Sequence, residues 1–194
     1  TYYSSASLQV YKQKDIEFLS DSNNHYPWQV QILDKVFKED TLNTKTAADR
    51  TIYWISDGQG NTGKSKLTKY LCVNCSSCVK LPFGTAQQIR SSVIAAGPKQ
   101  LYIIDIPRTI GDDDSMASII SAVEDVKNGF IISSFYGKYC TQMWDPPHVI
   151  IFSNERCPLK MMSADRWEEY VIDPVSKHMI PGEWVARQTT KETK

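Results

Sequence analysis

The residues with the clearest chemical meaning form one run, Gly58-Gln59-Gly60-Asn61-Thr62-Gly63-Lys64-Ser65. This run matches the pattern G-x-x-x-x-G-K-[ST] without a gap. A triphosphate needs several backbone N–H donors that converge on its oxygens, and a loop of small residues with freely chosen φ can supply them. We expect Lys64 to reach the β- and γ-phosphates and the Ser65 hydroxyl to hold Mg²⁺. The sequence therefore predicts a site for a nucleoside triphosphate such as ATP.

Two elements must position this loop. Residues 51–56 before it are β-branched and aromatic, which indicates a strand, and residues 66–71 after it have helical character. The order strand, loop, helix also places the positive end of a helix at the phosphates. The residues that we expect to contact the nucleotide are Gly58, Gly60, Asn61, Thr62, Gly63, Lys64, Ser65 and Lys66.

Two other apolar runs end in polar side chains. Residues 101–104 are continuously apolar and lead into Asp105, and residues 148–153 lead into Asn154. Continuous apolar runs are typical of buried parallel strands, and the carboxyl ends of such strands carry the ligand-binding side chains. We therefore expect Asp105 to face the same Mg²⁺ as Ser65.

The alternation of strands and helices predicts a three-layer α/β fold around a mainly parallel sheet. Helices are predicted from Pro27, over residues 85–96 and over residues 116–126, and a hairpin with a basic, aromatic tip at Lys138 and Tyr139 is predicted after the last of these. We expect residues 46–175 to form the core domain and residues 176–194 a partly disordered tail.

Composition limits the possible classes of protein. The 194 residues contain 22 basic and 22 acidic side chains, so no strong basic field indicates nucleic-acid binding, although a local patch would not change this total. No apolar run approaches the roughly 18 residues that a membrane span needs, so we expect no membrane partner. The chain begins at Thr1 and not at Met, and we expect it to be a fragment of a longer protein.

Two clusters resemble metal sites. Cys72, Cys75 and Cys78 have the spacing C-x2-C-x2-C, but a fourth ligand is missing nearby because Cys140 and Cys157 are distant. We therefore favour structural thiols over a metal centre. The run Asp112-Asp113-Asp114 precedes an apolar helical pattern and is interpreted as a helix start.

The ordered motifs resemble the superfamily 3 helicase domain of replication initiator (Rep) proteins from circular single-stranded DNA viruses, over about residues 27–170. The motifs are Pro27-Trp28-Gln29, Asp49-Arg50-Thr51-Ile52-Tyr53-Trp54 with the glycine loop, Ile104-Asp105-Ile106-Pro107-Arg108, Val126-Lys127-Asn128-Gly129, Gly137-Lys138-Tyr139, Phe152-Ser153-Asn154 and Ala164-Asp165-Arg166-Trp167. This resemblance implies a P-loop NTPase (AAA+-like) domain, preceded over residues 1–45 by a small helical segment that promotes assembly into a hexamer.

The resemblance also implies residue roles. Lys64, Asp105, Asn154 and Arg166 become catalytic, with Asp105 as the Walker B carboxylate, Asn154 as the sensor of the γ-phosphate, and Arg166 as an arginine finger for the neighbouring subunit. Lys138 and Tyr139 fall on the hairpin that contacts single-stranded DNA. Because Ile106 follows Asp105 where a second acid is expected, the carboxylate that polarises the attacking water remains open between Asp105, Glu124 and Asp112.

The function implied is an ATP- and Mg²⁺-dependent motor on single-stranded DNA in rolling-circle replication, in the host nucleus. Full-length members carry an N-terminal nickase domain with a His pair, whereas His25, His148 and His178 stand alone here. Two alternatives stay open: a small-molecule P-loop kinase, and an assembly module that uses nucleotide with weak or no hydrolysis.

Overall fold

The computed structural model describes residues 13–108, 113–134, 137–161, 163 and 165–182. Its helices are α1 (Lys14–Leu19), α2 (Pro27–Val36), α3 (Lys64–Asn74), α4 (Ala86–Ala96) and α5 (Asp113–Asn128), with short 3₁₀ turns at Ser22–Asn24 and Leu159–Met161. Its strands are β1 (Ile52–Ser56), β2 (Cys78–Leu81), β3 (Leu101–Ile106), β4 (Phe130–Ser133), β5 (Cys140–Met143), β6 (His148–Ser153), β7 (Trp167–Ile172) and β8 (Met179–Pro181).

A six-stranded sheet forms the centre of the described part of the chain, with strand order β2-β3-β6-β1-β7-β8. The first five strands in that order are mutually parallel, and β8 adds to β7 in the antiparallel direction. Strands β4 and β5 form a separate antiparallel hairpin, as the sequence predicts. Helices cover both faces of the central sheet, so the predicted α/β architecture with a mainly parallel sheet is confirmed.

Successive side chains of a strand point to opposite faces of the sheet, and each face packs in its own apolar core. On one face, Trp54 of β1 packs in a core with residues of α4 and α5. On the other face, Ile55 of β1 packs in a core with residues of α2 and α3. Strand β6 is buried along its whole length because it lies in the middle of the sheet between β3 and β1. This burial explains why its sequence is continuously apolar from Val149 to Phe152.

Helix α2 forms where its sequence favours it. Pro27 occupies the first turn, where its missing N–H costs nothing, and the Gln29 side chain accepts a hydrogen bond from the Tyr26 N–H at 2.9 Å. Its buried apolar residues, Trp28, Ile32 and Val36, recur every fourth position and so share one face. That face packs on the sheet beside α3, which places the start of α2 against the glycine loop.

The end of the sheet differs from the predicted domain limits. Strand β8 lies inside the range 176–194 that the sequence assigns to the tail, and it pairs with β7 from Tyr170 to Ile172. The sheet therefore continues past residue 175. Residues 1–12 and residues 183–194, which include most of the predicted tail, lie outside the described residues. Among the described residues, no helix combines the length and the apolar character that crossing a membrane requires.

Candidate functional site

The glycine loop has the backbone conformation that its sequence predicts. Gly60, Asn61 and Gly63 all have positive φ, at 81°, 59° and 85° respectively. Glycine adopts this region freely, and asparagine is among the few other residues that tolerate it. Three left-handed residues within residues 60–63 turn the chain sharply, as occurs in loops that bind anions through backbone N–H groups.

Asp57, the residue after β1, stabilises this loop through four hydrogen bonds. Its carboxylate accepts hydrogen bonds from the N–H groups of Gln59 at 3.1 Å and Gly60 at 3.0 Å through Oδ1. Through Oδ2 it accepts from the Thr62 hydroxyl at 2.6 Å and from Lys64 Nζ at 3.0 Å. Burial alone would raise the pKa of the Asp57 carboxyl, but the hydrogen bonds from Thr62, Lys64 and Gly60 hold this pKa below its ordinary value.

Helix α2 fixes the other side of the loop. The Trp28 indole Nε1 donates to the Thr62 carbonyl at 2.9 Å, and the Gln29 amide Nε2 donates to the Gly63 carbonyl at 3.2 Å. In a trans peptide the carbonyl and the following N–H point in opposite directions. The N–H groups of Gly63 and Lys64 therefore point away from α2, as a phosphate ligand in the loop requires.

The residues predicted to bind phosphate and metal come directly after the loop, at the start of α3. Helix α3 begins at Lys64, so Lys64, Ser65 and Lys66 form its first turn, where N–H groups lack partners within the helix. Ser65 is exposed, whereas Lys64 is half-buried and paired with Asp57. The Lys66 ammonium lies 3.5 Å from the Asp15 carboxylate, which ties α1 to this turn.

Asp105 and Asn154 lie near this loop at the carboxyl ends of the parallel strands, which we call the carboxyl edge of the sheet. In the parallel register, Asp105 of β3 lies opposite Phe152 of β6, and Ser153 of β6 lies opposite Ser56 of β1. Neighbouring strands are about 4.8 Å apart. The carboxylate, the amide and the start of the glycine loop therefore lie on three adjacent strand ends.

The surroundings of Asp105 were not predicted. Its carboxylate is partly exposed and forms an ion pair with the Lys80 ammonium of β2. The Arg108 guanidinium, from the segment after β3, donates to the Gly58 carbonyl at 3.3 Å. Both contacts connect the end of β3 with its neighbours at the carboxyl edge of the sheet.

Glu124 and Arg166 lie at the opposite, amino edge of the sheet, where β1 and β7 begin. The Arg166 Nε atom is 3.8 Å from Glu124 Oε1 on α5, and the Arg166 carbonyl accepts a hydrogen bond from the Ile52 N–H at the start of β1. About five strand residues, or roughly 16 Å, separate this point from Asp57. Glu124 is thus remote from the glycine loop, while Asp112 lies outside the described residues. Of the two candidate acids that the structure describes, Asp105 lies at the loop edge and Glu124 does not.

The hairpin carries the predicted DNA-contacting residues on an exposed connection. Lys138 and Tyr139 lie between β4 and β5, and 72% of Tyr139 is exposed. Below them, Ile131 packs into the core while Phe130 and Met143 face outward as a cross-strand pair. The hairpin therefore presents a basic and aromatic end on a base that is fixed to the domain.

The three clustered cysteines lie where α3 ends and β2 begins. A hydrogen bond from Cys78 lowers the pKa of Cys72 to about 7, and Cys75 Sγ lies 3.3 Å from the Ser77 hydroxyl. Within the described ranges, no group of three or more His, Cys, Asp or Glu side chains is arranged to hold a metal ion. The favoured interpretation of these residues as structural thiols stays a prediction.

Comparison with known proteins adds a second line of observation. No family model matches the chain. Para-Rep C6 of the Subterranean clover stunt C6 alphasatellite is 30% identical over 142 residues, which cover 72% of this chain and 45% of that protein. The chain is similar to Para-Rep proteins. Para-Rep C7 of the Faba bean necrotic yellows C7 alphasatellite and Para-Rep C10 of the Milk vetch dwarf C10 alphasatellite are 32% and 31% identical, each over 72% of this chain and 46% of the relative. The chain thus spans about half the length of the Para-Rep proteins it matches.

Sequence reasoning missed four residues around the loop, namely Asp57, Trp28, Gln29 and Lys80. For Asp57 a signal existed, because an Asp directly before a Gly-rich turn often accepts N–H groups two and three residues ahead. For Trp28 and Gln29 the motif was noticed but its contact with the loop was not, since the two segments are 34 residues apart.

Proposed function

We propose that this chain is the ATP-hydrolysing motor domain of a viral Rep protein. The observation that carries this proposal is the glycine loop at the carboxyl edge of the sheet, with Asp105 and Asn154 on the two adjoining strand ends. Phosphoryl transfer needs positioning and charge neutralisation more than covalent chemistry, and a lysine, oxygen ligands for Mg²⁺ and a water-orienting amide are the required parts.

This mechanism assigns roles to four side chains, and Asp105 has two of them. Lys64 binds the β- and γ-phosphates of the substrate ATP, and Asn154 orients the attacking water. Asp105 is the carboxylate best placed to accept the proton of that water. The side chains suited to Mg²⁺ are the Ser65 hydroxyl and the Asp105 carboxylate, because hard cations prefer oxygen ligands. When bound there, Mg²⁺ would neutralise charge on the phosphate oxygens.

Arg166 completes the site of a neighbouring subunit in this proposal. Its place at the far edge of the sheet makes action on its own nucleotide geometrically difficult, whereas a neighbour in a ring can present its glycine loop to that edge. The Arg166 side chain is 17% exposed and is paired with Glu124, so it must leave this pair to reach a neighbour's nucleotide. We propose that the ring is a homo-hexamer. In this assembly the helical segment containing α1 and α2 contributes to the subunit contacts.

DNA translocation is proposed from the hairpin and from the relatives. Lys138 and Tyr139 combine a positive charge with an aromatic ring, which is the chemistry that binds single-stranded nucleic acid without sequence preference. The name Para-Rep fits a role in replication of a small single-stranded DNA genome, and by extension action in the host nucleus.

A second candidate is an assembly module that binds nucleotide and hydrolyses it weakly. It is favoured by Ile106, which stands where a second acid is expected, and by the Lys80 ammonium that occupies the Asp105 carboxylate. A small-molecule kinase is less well supported. Arg108 contacts the loop at Gly58, but Arg90, Arg156 and Arg166 are each paired with a carboxylate, so the arginines do not converge on the loop.

Steady-state hydrolysis of Mg-ATP, measured with and without single-stranded DNA, separates these functions. A DNA-driven motor predicts turnover that rises when single-stranded DNA is added. Turnover that is absent or unaffected by DNA, together with nucleotide-dependent assembly in the same samples, would favour the assembly module instead.

A further inference from the structure

The strongest unused feature of the site is the buried ion pair between Asp57 and Lys64. The Asp57 side chain is 2% exposed and the Lys64 side chain 13% exposed, with 3.0 Å between Oδ2 and Nζ. The proposed function requires Lys64 to contact phosphate oxygens. The same ammonium therefore has two competing anionic partners, one in the protein and one in the nucleotide.

We propose that Asp57 is a positioning residue that holds Lys64 until phosphate replaces it, so that nucleotide entry transfers the Lys64 ammonium from carboxylate to phosphate. This inference rests on the proposed function and adds to it a residue that no motif identifies. No covalent bond changes in this step, since only the partner of the ammonium is exchanged.

Asp57 can release Lys64 without being left unsatisfied. Its carboxylate keeps three other hydrogen bonds, from the N–H groups of Gln59 and Gly60 and from the Thr62 hydroxyl. These same bonds keep the loop in shape whether or not nucleotide is present. The two oxygens thus have different partners: Oδ1 accepts from the backbone, and Oδ2 accepts from the side chains of Thr62 and Lys64.

Two substitutions separate these three hydrogen bonds from the ion pair. In Asp57→Asn, the amide oxygen can still accept from Gln59 and Gly60, and the amide nitrogen can donate to Thr62, but Lys64 loses its partner. We expect Asp57→Asn to bind Mg-ADP about tenfold more tightly than the wild type, because the competing charge-assisted bond is gone. Asp57→Ala loses the three hydrogen bonds as well and should bind Mg-ADP more weakly.

The experiment is calorimetric titration of Mg-ADP into the wild type, Asp57→Asn and Asp57→Ala, with Asp145→Asn as a control that removes an exposed carboxylate at the other edge of the sheet. The same Asp57→Asn change is also made on a Lys64→Ala background. A gain in affinity that disappears on that background supports the exchange, because only a coupled pair behaves in this way.

The outcomes are distinguishable. An equal gain on both backgrounds would show a general effect of charge and overturn the inference, as would unchanged or weaker binding by Asp57→Asn. A wild type that binds no Mg-ADP would overturn the proposed function and this inference together. If Asp57→Asn does not fold, ¹³C NMR of the wild-type Asp57 carboxyl gives the answer: its pKa should rise when Mg-ADP binds, and an unchanged pKa would contradict the exchange.

Discussion

Asp105 of β3 lies directly opposite Phe152 of β6, and Asn154 follows Phe152 by two residues. This register brings a carboxylate and an amide to neighbouring strand ends although 49 positions separate them in the sequence. On the other side of β6, β1 runs into the glycine loop. The proposed chemistry depends on the carboxylate, the amide and the glycine loop all lying at the carboxyl edge of the sheet.

Asp105 is the first point at which this arrangement can be tested. In Asp105→Asn, we expect Mg²⁺-dependent ATP turnover to fall by about 10²-fold or more, because an amide neither carries the charge that holds the cation nor accepts a proton from water. Phosphate release at several Mg²⁺ concentrations measures this loss. Asp145→Asn is the matched control, and equal turnover in both variants would remove Asp105 from the site.

The hydrogen bond from Trp28 to the loop can be tested by removing only its donor. Trp28→Phe keeps an aromatic ring in the core but loses the bond to the Thr62 carbonyl, so we expect nucleotide affinity to fall several-fold and the free energy of unfolding to fall by about 1 to 3 kcal/mol.

The control for Trp28 is Trp54→Phe, since the Trp54 indole donates a 3.0 Å bond to the Glu155 carbonyl and does not contact the loop. It should lose similar stability in chemical denaturation without the loss in affinity. Equal effects of both variants on affinity would mean that α2 does not orient the loop.

The hairpin prediction concerns Lys138. In Lys138→Ala, we expect weaker binding of single-stranded DNA, and the slope of log K against log salt should become shallower by about 0.7 for each phosphate that the variant no longer neutralises. Basal ATP hydrolysis should be largely unchanged. Fluorescence anisotropy at several salt concentrations measures the slope, with Lys160→Ala as the exposed-lysine control. An affinity equal to that of the control would make Lys138 an ordinary surface lysine.

Arg166 tests the ring. If its guanidinium completes a neighbour's site, Arg166→Ala should reduce turnover by about 10³-fold while nucleotide affinity changes little. Mixing Arg166→Ala with Lys64→Ala subunits should restore part of the activity, because some interfaces then pair an intact loop with an intact arginine. Mixed assemblies as inactive as either parent, with mixing demonstrated, would place the action of Arg166 within its own subunit or in structure alone.

The sequence predicted those parts of the molecule in which local pattern and chemistry agree. The glycine loop, the strands that end at Asp105 and Asn154, and the hairpin all follow from short stretches with a clear period or composition. Strand β8 lies within the range that the sequence predicts as tail; it is a three-residue edge strand that ends in Pro181, and an edge position tolerates proline.

Contacts that depend on the register of distant segments could not be predicted. The ion pair of Arg166 with Glu124 joins positions on α5 and before β7, and no local pattern relates them. The pairing of Asp105 with Lys80 similarly requires β2 to lie beside β3. The ion pair of Asp57 with Lys64 is local in sequence, but it depends on the left-handed residues that fold the loop back over Asp57.

The most direct test of the account is the initial rate of phosphate release from Mg-ATP by the wild type and by Lys64→Ala. Lys69→Ala serves as the control, since Lys69 lies exposed on the same helix and pairs with Asp15. Because Lys64 supplies the charge on the β- and γ-phosphates, the account predicts hydrolysis by the wild type and by Lys69→Ala, and a loss of about 10²-fold or more in Lys64→Ala with its thermal unfolding intact. Turnover by Lys64→Ala near the wild-type rate would contradict it.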